Sequence, residues 1–218
     1  MSIPVRRWLL GKGLIVKPEF TVPWGTCDFV GVRLDPTKVR LRLSRGQIAS
    51  VGPQIRLRIL AQIPDLESGT CVTLASLQHR LSGLLAPEVV LSELELLTRR
   101  KFVASPRKNS FCRLNGWAPL HRQIFAVELK LARVSEVLNQ AAANRAFATH
   151  SYIALPSELA RRMLSTRKTL LTRMGVGLLG VSRQLCRELL APSTTDDAVS
   201  DDVIQSHVVE RFWRARGN

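Results

Sequence analysis

Two periodicities alternate along this chain, and the switches between them mark its elements. Near the N-terminus, Pro4 to Leu10 suits a short helix closed by Gly11 and Gly13. Leu14 to Val22 and Thr26 to Leu34 then read as extended runs, and Pro23, Trp24 and Gly25 between them make the turn of a β-hairpin. From Asp35 to Gln47, Lys38, Arg40 and Arg42 alternate with Val39, Leu41 and Leu43. That period of two predicts a strand with one cationic face.

From about Gly52 to Trp117 the grammar is helical. Ile55, Ile59 and Ile63 share one helix face, and Thr73 is placed to cap a helix bearing Leu74, Leu77 and Leu81 that ends at Gly83. Pro87 opens a third helix whose buried stripe is Val90, Leu94 and Leu97. Two short extended pieces follow, 101–103 and 110–114, joined by the polar turn Ser105 to Asn109. Three helices followed by a β-hairpin resemble a winged helix-turn-helix.

After Gln123 the pattern alternates between strand and helix. A strand runs through Leu131, a helix from Val134 to Phe147 and a strand from Ser151 to Leu155. A long helix, capped by Ser157, runs to Gly175, and a further strand covers Val176 to Ser182. A polar linker, Pro192 to Ser200, leads to a last helix with Asp201 and Asp202 in its first turn and Arg211, Arg214 and Arg216 in its last turns. The expected architecture is α/β: a mixed sheet flanked by helices from residues 1–52 and 117–218, with residues 53–116 inserted as a separate small domain.

Composition adds a partner class. The 218 residues are 45% hydrophobic, ample for a core, and carry 32 Lys+Arg against 17 Asp+Glu, a formal charge of +15. Such a field attracts polyanions, with DNA the expected partner and RNA the alternative. Apolar runs are too short or too interrupted to cross a bilayer and no signal-peptide core is present, so a cytoplasmic protein without a membrane partner is expected. Cys27, Cys71, Cys112 and Cys186 form no CxxC pair, which indicates reduced thiols rather than a zinc site or disulfide framework.

The segment from Ile124 to Leu131 carries the chemistry. It is apolar except for Glu128 and Lys130, two residues apart and so on one strand face. Opposite charges within a buried strand cost several kcal/mol of desolvation unless they are paired or bind a cation. Asp28, directly after the Trp-Gly-Thr turn, supplies a second carboxylate at a sheet end. Two carboxylates suit a hard divalent cation, Mg²⁺ or Mn²⁺, and a lysine beside it suits phosphodiester hydrolysis. Glu19 on the preceding strand is a possible additional acid or simply an exposed hairpin residue.

These residues resemble the signature of the PD-(D/E)xK, or restriction-endonuclease-like, nuclease superfamily. Asp28 matches the Asp of the second strand, and Glu128 and Lys130 match the Glu/Asp-x-Lys of the third. The resemblance implies a core of helix, three-stranded meander, helix and strand, a Mg²⁺-dependent endonuclease activity, and a Gln on the following helix facing the site, which here is Gln140. The sequence departs from the pattern in having Cys27 in place of the Pro before the Asp, and in the 100 residues between Asp28 and Glu128. An inserted winged-helix-like module accounts for that spacing. A non-enzymatic DNA-binding regulator on a nuclease-like scaffold is the alternative.

Candidate phosphate contacts are Arg99, Arg100, Lys101, Arg107, Lys108 and Arg113 at the end of the third insert helix and in the wing, and Arg161, Arg162, Arg167 and Lys168 on the long helix. The third helix itself carries Glu88, Glu93 and Glu95, which repel a DNA backbone and leave the insert equally suited to docking a protein partner. Cleavage of both strands of a duplex commonly needs two active sites, so a homodimer is a further expectation. His79, His121, His150 and His207 show no ligand spacing and read as surface or cap residues.

Overall fold

A computed structural model describes residues 1–114, 120–131, 134–193 and 201–213, the side chains of 134 and 135 excepted. In chain order the elements are α1 (Ser2–Gly11), β1 (Ile15–Val22), β2 (Gly25–Leu34), α2 (Pro36–Ser44), α3 (Gln54–Ala61), β3 (Val72–Thr73), α4 (Leu74–Arg80), α5 (Pro87–Arg99), β4 (Val103–Arg107) and β5 (Ser110–Arg113). There follow β6 (His121–Leu129), α6 (Val134–Asn144), β7 (His150–Pro156), α7 (Ser157–Met174), β8 (Val176–Val181), β9 (Cys186–Leu190) and α8 (Asp202–Trp213). The chain divides into two compact units, one of Met1–Leu34 with His121–Gln205, the other of Asp35–Leu120 with the residues from Ser206 on.

The first unit is a mixed six-stranded sheet in the order β1-β2-β6-β7-β8-β9. β1 and β6 each pair antiparallel with β2, β6, β7 and β8 are parallel, and β9 returns antiparallel on β8. One face buries Phe29, Phe125, Val127, Tyr152 and Ala154 with Val5 and Leu9 of α1. The other buries Ile153, Leu155 and Leu178 with Val137, Leu138 and Ala141 of α6 and Ala160, Met163 and Leu171 of α7. The strands covered on both faces are accordingly near-continuous in hydrophobicity, β8 being buried at every residue. Gly175 stops α7 in the left-handed conformation at φ 65° that glycine adopts without strain.

The second unit holds α2 to α5, the antiparallel sheet β3-β5-β4, and α8 from Ser206. Its ends meet where the Asp35 N–H donates to the Leu120 carbonyl at 2.7 Å. The Thr73 hydroxyl caps α4 by accepting from Ser76 N, Pro87 stands in the first turn of α5, and Val90, Leu94 and Leu97 are buried. Arg56 of α3 is ion-paired to Glu93 of α5. Cys71 and Cys112 hold facing positions just past the β3·β5 ladder, and burial, followed by the interaction of the Cys112 thiol with Cys71, pushes that thiol up to about 11. All four cysteines are free.

Three readings of the sequence need correcting. Residues 36–44 are helix α2, not a strand: the Asp35 carboxylate accepts from Thr37 N and Lys38 N, and Pro36 fits the first turn. These local signals outweigh the alternating pattern, of which Arg42 is buried in an ion pair. Ser157 is the first residue of α7 and caps nothing through its side chain. The edge strand β9, whose pattern Cys-Arg-Glu-Leu-Leu lacks a turn-bounded apolar run, was not anticipated. Val134 as a buried side chain, Asp196 and Asp197 of the polar linker, and Arg214 and Arg216 lie outside the described residues.

Candidate active site

Strand register brings the two acids together. The β2·β6 ladder ends at Phe29 opposite Val127, and the next facing positions are Asp28 and Glu128. Facing residues on antiparallel strands stand about 4.5 to 5.5 Å apart at Cβ and share a side of the sheet. Phe29 and Val127 turn into the α1 face, so Asp28 and Glu128 turn to the α6 face. The Asp28 Oδ2 accepts from the Leu129 N–H at 2.6 Å, fixing the carboxylate across the end of the ladder. Lys130, two residues beyond Glu128, is half-buried, and its N–H is tied to the Ala154 carbonyl of β7 at 3.1 Å.

Glu128 is 3% exposed. Its Oε1 accepts from Asn144 Nδ2 at 2.6 Å, and the Asn144 Oδ1 accepts from the Trp24 indole at 3.2 Å. An indole only donates and a carboxylate only accepts, so this chain orients the amide without ambiguity. Trp24 also stacks obliquely on Phe147, with ring centroids 6.1 Å apart. Burial raises the Glu128 pKa, and the Asp28 charge adds to the rise. The Asn144 hydrogen bond, the Cys27 thiol and the Lys130 charge oppose it. The Cys27 thiol in turn is held well up, by burial first and then by the Glu128 charge. The position before Asp28 thus carries a small buried group against the acid.

Gln140 is exposed, and the amide that reaches Glu128 is Asn144, one helical turn further on. The stripe Val137, Leu138, Ala141 extends by helical spacing to position 144, so the sequence did carry the signal. Trp24 had no such signal beyond its place in the turn. Glu19 is exposed and lies opposite Asp28 in the β1·β2 register, where its φ of 46° interrupts the pairing. A left-handed backbone is uncommon for Glu, and such conformations cluster at functional sites. Among the described residues no group of three or more His, Cys, Asp and Glu could hold a metal ion.

Arg99, Lys101, Arg107 and Lys108 are exposed in the second unit, and Arg161, Arg162, Arg167 and Lys168 are exposed along α7 in the first. Arg100 donates to the carbonyls of Ser50 and Val51, and Arg113 is ion-paired with Asp65. Those two guanidiniums are engaged in holding the second unit together. His150 is no surface histidine: it is half-buried and stacked on Phe125. No helix among the described residues is long and apolar enough to cross a membrane. Compared with protein-family models, curated proteins and solved structures, the chain matches none of them.

Proposed function

We propose that this chain is a metal-dependent nuclease of the PD-(D/E)xK type that hydrolyses phosphodiester bonds in DNA, with the second unit as a winged-helix-like module that binds DNA or a partner. The observation that carries the reading is the register that sets Asp28 against Glu128 at the open end of a ladder, with Lys130 next on the same side. The order α1, β1-β2-β6 meander, α6, β7 supports the reading, because the family resemblance implies a helix, a three-stranded meander, a helix and a strand in that order. For the second unit, the succession α3, β3, α4, α5, β4, β5 with sheet order β3-β5-β4 supports a winged helix, β4 and β5 being the wing.

The residues suit a hard divalent cation. Asp28 has one carboxylate oxygen tied to Leu129 N, and Glu128 has Oε1 tied to Asn144, which leaves acceptor capacity on both. Two carboxylates completed by water are a common Mg²⁺ arrangement. When bound, such an ion supplies Lewis-acid activation of the phosphoryl group and of the attacking water. Asn144 holds Glu128 in place, Asp28 is pinned by a backbone N–H, and Lys130, close enough for its charge to act on Glu128, would offset negative charge developing on a bound phosphate.

The test is cleavage of duplex, single-stranded and branched DNA and of RNA with Mg²⁺ or Mn²⁺. Wild type cuts and Glu128→Ala does not. A wild-type protein that shifts DNA in a gel but cuts no nucleic acid with either metal overturns the reading in favour of the regulator on a nuclease-like scaffold. The absence of a third metal-ligating side chain among the described residues is what favours that alternative.

A further inference from the structure

On the α1 face of the first unit, away from the acids, lies a cavity of about 320 Å³. It opens at the starts of β6 and β7, and its walls include Lys12, Arg33, Gln123, His150, Tyr152 and Glu188. Its floor is a ladder of rings. His150 lies on Phe125 with centroids 4.5 Å apart and planes 7° from parallel, and Phe125 is stacked on Tyr152 at 5.8 Å and 13°. Trp8 packs edge-on against Tyr152 at 5.3 Å. Beside the rings stand two cations: Lys12 Nζ lies 4.5 Å over the Trp8 ring and 3.5 Å from Glu188, and the Arg33 guanidinium donates to the Lys12 carbonyl. Gln123 brings an amide with both a donor and an acceptor.

Nothing in the proposed cleavage chemistry uses these groups. Glu128 turns to α6 on the opposite face of the sheet, whereas Phe125 and Tyr152 belong to the α1 side. A structural role alone accounts for the buried Phe125, but not for a polar, cation-lined space of ligand size above it. Parallel rings that end in a half-buried imidazole form a platform that another flat heteroaromatic ring can extend, and base stacking on such platforms is sequence-tolerant. Lys12 and Arg33 outnumber Glu188, so the cavity carries a net positive charge while His150 is neutral. Burial first, and then Lys12, hold the imidazole pKa down against the opposing pull of Glu188.

The geometry points to this cavity as a binding site for a single nucleotide unit, its base stacked on His150 and its phosphate on Lys12 and Arg33, independent of the nuclease site. The same chemistry is presented by a free nucleoside 5′-monophosphate and by the 5′-phosphorylated end of a strand.

The experiment is calorimetric titration of the full chain carrying Glu128→Ala, which removes the proposed cleavage without touching this face. The ligands are AMP, inorganic phosphate, and a short single-stranded DNA with and without a 5′-phosphate. Saturable binding of AMP, or of the phosphorylated strand in preference to its unphosphorylated twin, is expected, and which of the two binds identifies the source. Lys12→Met and His150→Ala should each weaken it at least tenfold. Glu188→Gln, which releases Lys12 from its ion pair, should strengthen it several-fold, a gain that damage to the fold does not produce. The proposal is overturned by no binding of either ligand, by phosphate binding as tightly as AMP, or by variants that bind like the parent. None of these outcomes bears on cleavage by the protein with Glu128 intact.

Discussion

Two glutamates in this molecule are equally buried and differently kept. Glu210 of α8 and Glu128 of β6 are each 3% exposed. Glu210 is met by both terminal nitrogens of Arg42, one at 3.0 Å, and by the Val51 N–H at 2.7 Å. Arg42 also donates to the carbonyls of Gln47 and Ala49 and lies over the rings of Phe102 and Trp213, 5.1 and 4.5 Å from their centroids. Every charge there has its counterpart. Glu128 has an amide, a thiol and a second carboxylate, with a lysine two residues on. The first arrangement ties three segments of one unit together. The second leaves negative charge under-compensated at a strand end, which is the condition for binding a cation.

The sharpest way to break this contrast is to delete one member of each set. Arg42→Ala strands a buried carboxylate and should cost about 3 to 5 kcal/mol, seen as a large fall in thermal midpoint by calorimetry. Glu128→Gln in metal-free protein at neutral pH should leave stability within about 1 kcal/mol of wild type or raise it, because burial already disfavours the ionised acid. A loss at Glu128→Gln comparable to that at Arg42→Ala would erase the distinction.

Asn144→Ala sharpens it from the other side. Removing the amide that orients a metal ligand typically costs about 10- to 100-fold in metal affinity or activity. Metal-dependent cleavage should fall by that order, whereas Gln140→Ala, on an exposed position of the same helix, should leave it unchanged. Steady-state cleavage at varied Mg²⁺ measures both.

Binding should separate from chemistry. Arg107→Gln with Lys108→Gln should weaken DNA affinity across sequences and flatten its salt dependence by up to about 0.9 per lost phosphate contact, with cleavage at saturating DNA preserved. Filter binding between low and moderate salt reads this, and unchanged affinity would make the second unit a docking surface for protein.

The smallest expected effect concerns His150. Its pKa is lowered in the fold, so below the ordinary value near 6.5 the unfolded chain takes up the proton first. The contribution is fully present above pH 6.5 and is lost as pH falls from there through the folded value. Unfolding free energies at pH 7.5 and 5.5 should therefore differ less in His150→Gln than in wild type.

The contrast also explains what was legible in the sequence. Asp28, Glu128 and Lys130 could be read because charge in a period-two apolar strand has few explanations, and Thr73, Pro87 and Gly175 because caps are local chemistry. The alternating residues of helix α2 mimic a strand, and its true signal is the Asp-Pro start. The Arg42–Glu210 pair joins residues 168 apart in sequence and leaves no local trace. Gln140 fits both the family pattern and the edge of the buried stripe of α6, yet it is exposed, and the amide that reaches Glu128 is Asn144, one turn further along that stripe.

The central claim is that Asp28 and Glu128 together hold one divalent ion, and Mn²⁺ binding followed by electron paramagnetic resonance tests it most directly. Wild type should bind Mn²⁺ saturably, Mg²⁺ should compete, and Asp28→Asn and Glu128→Gln should each abolish the site while the fold persists by circular dichroism. Mn²⁺ binding that is absent from wild type, or equally strong in both variants, would contradict it.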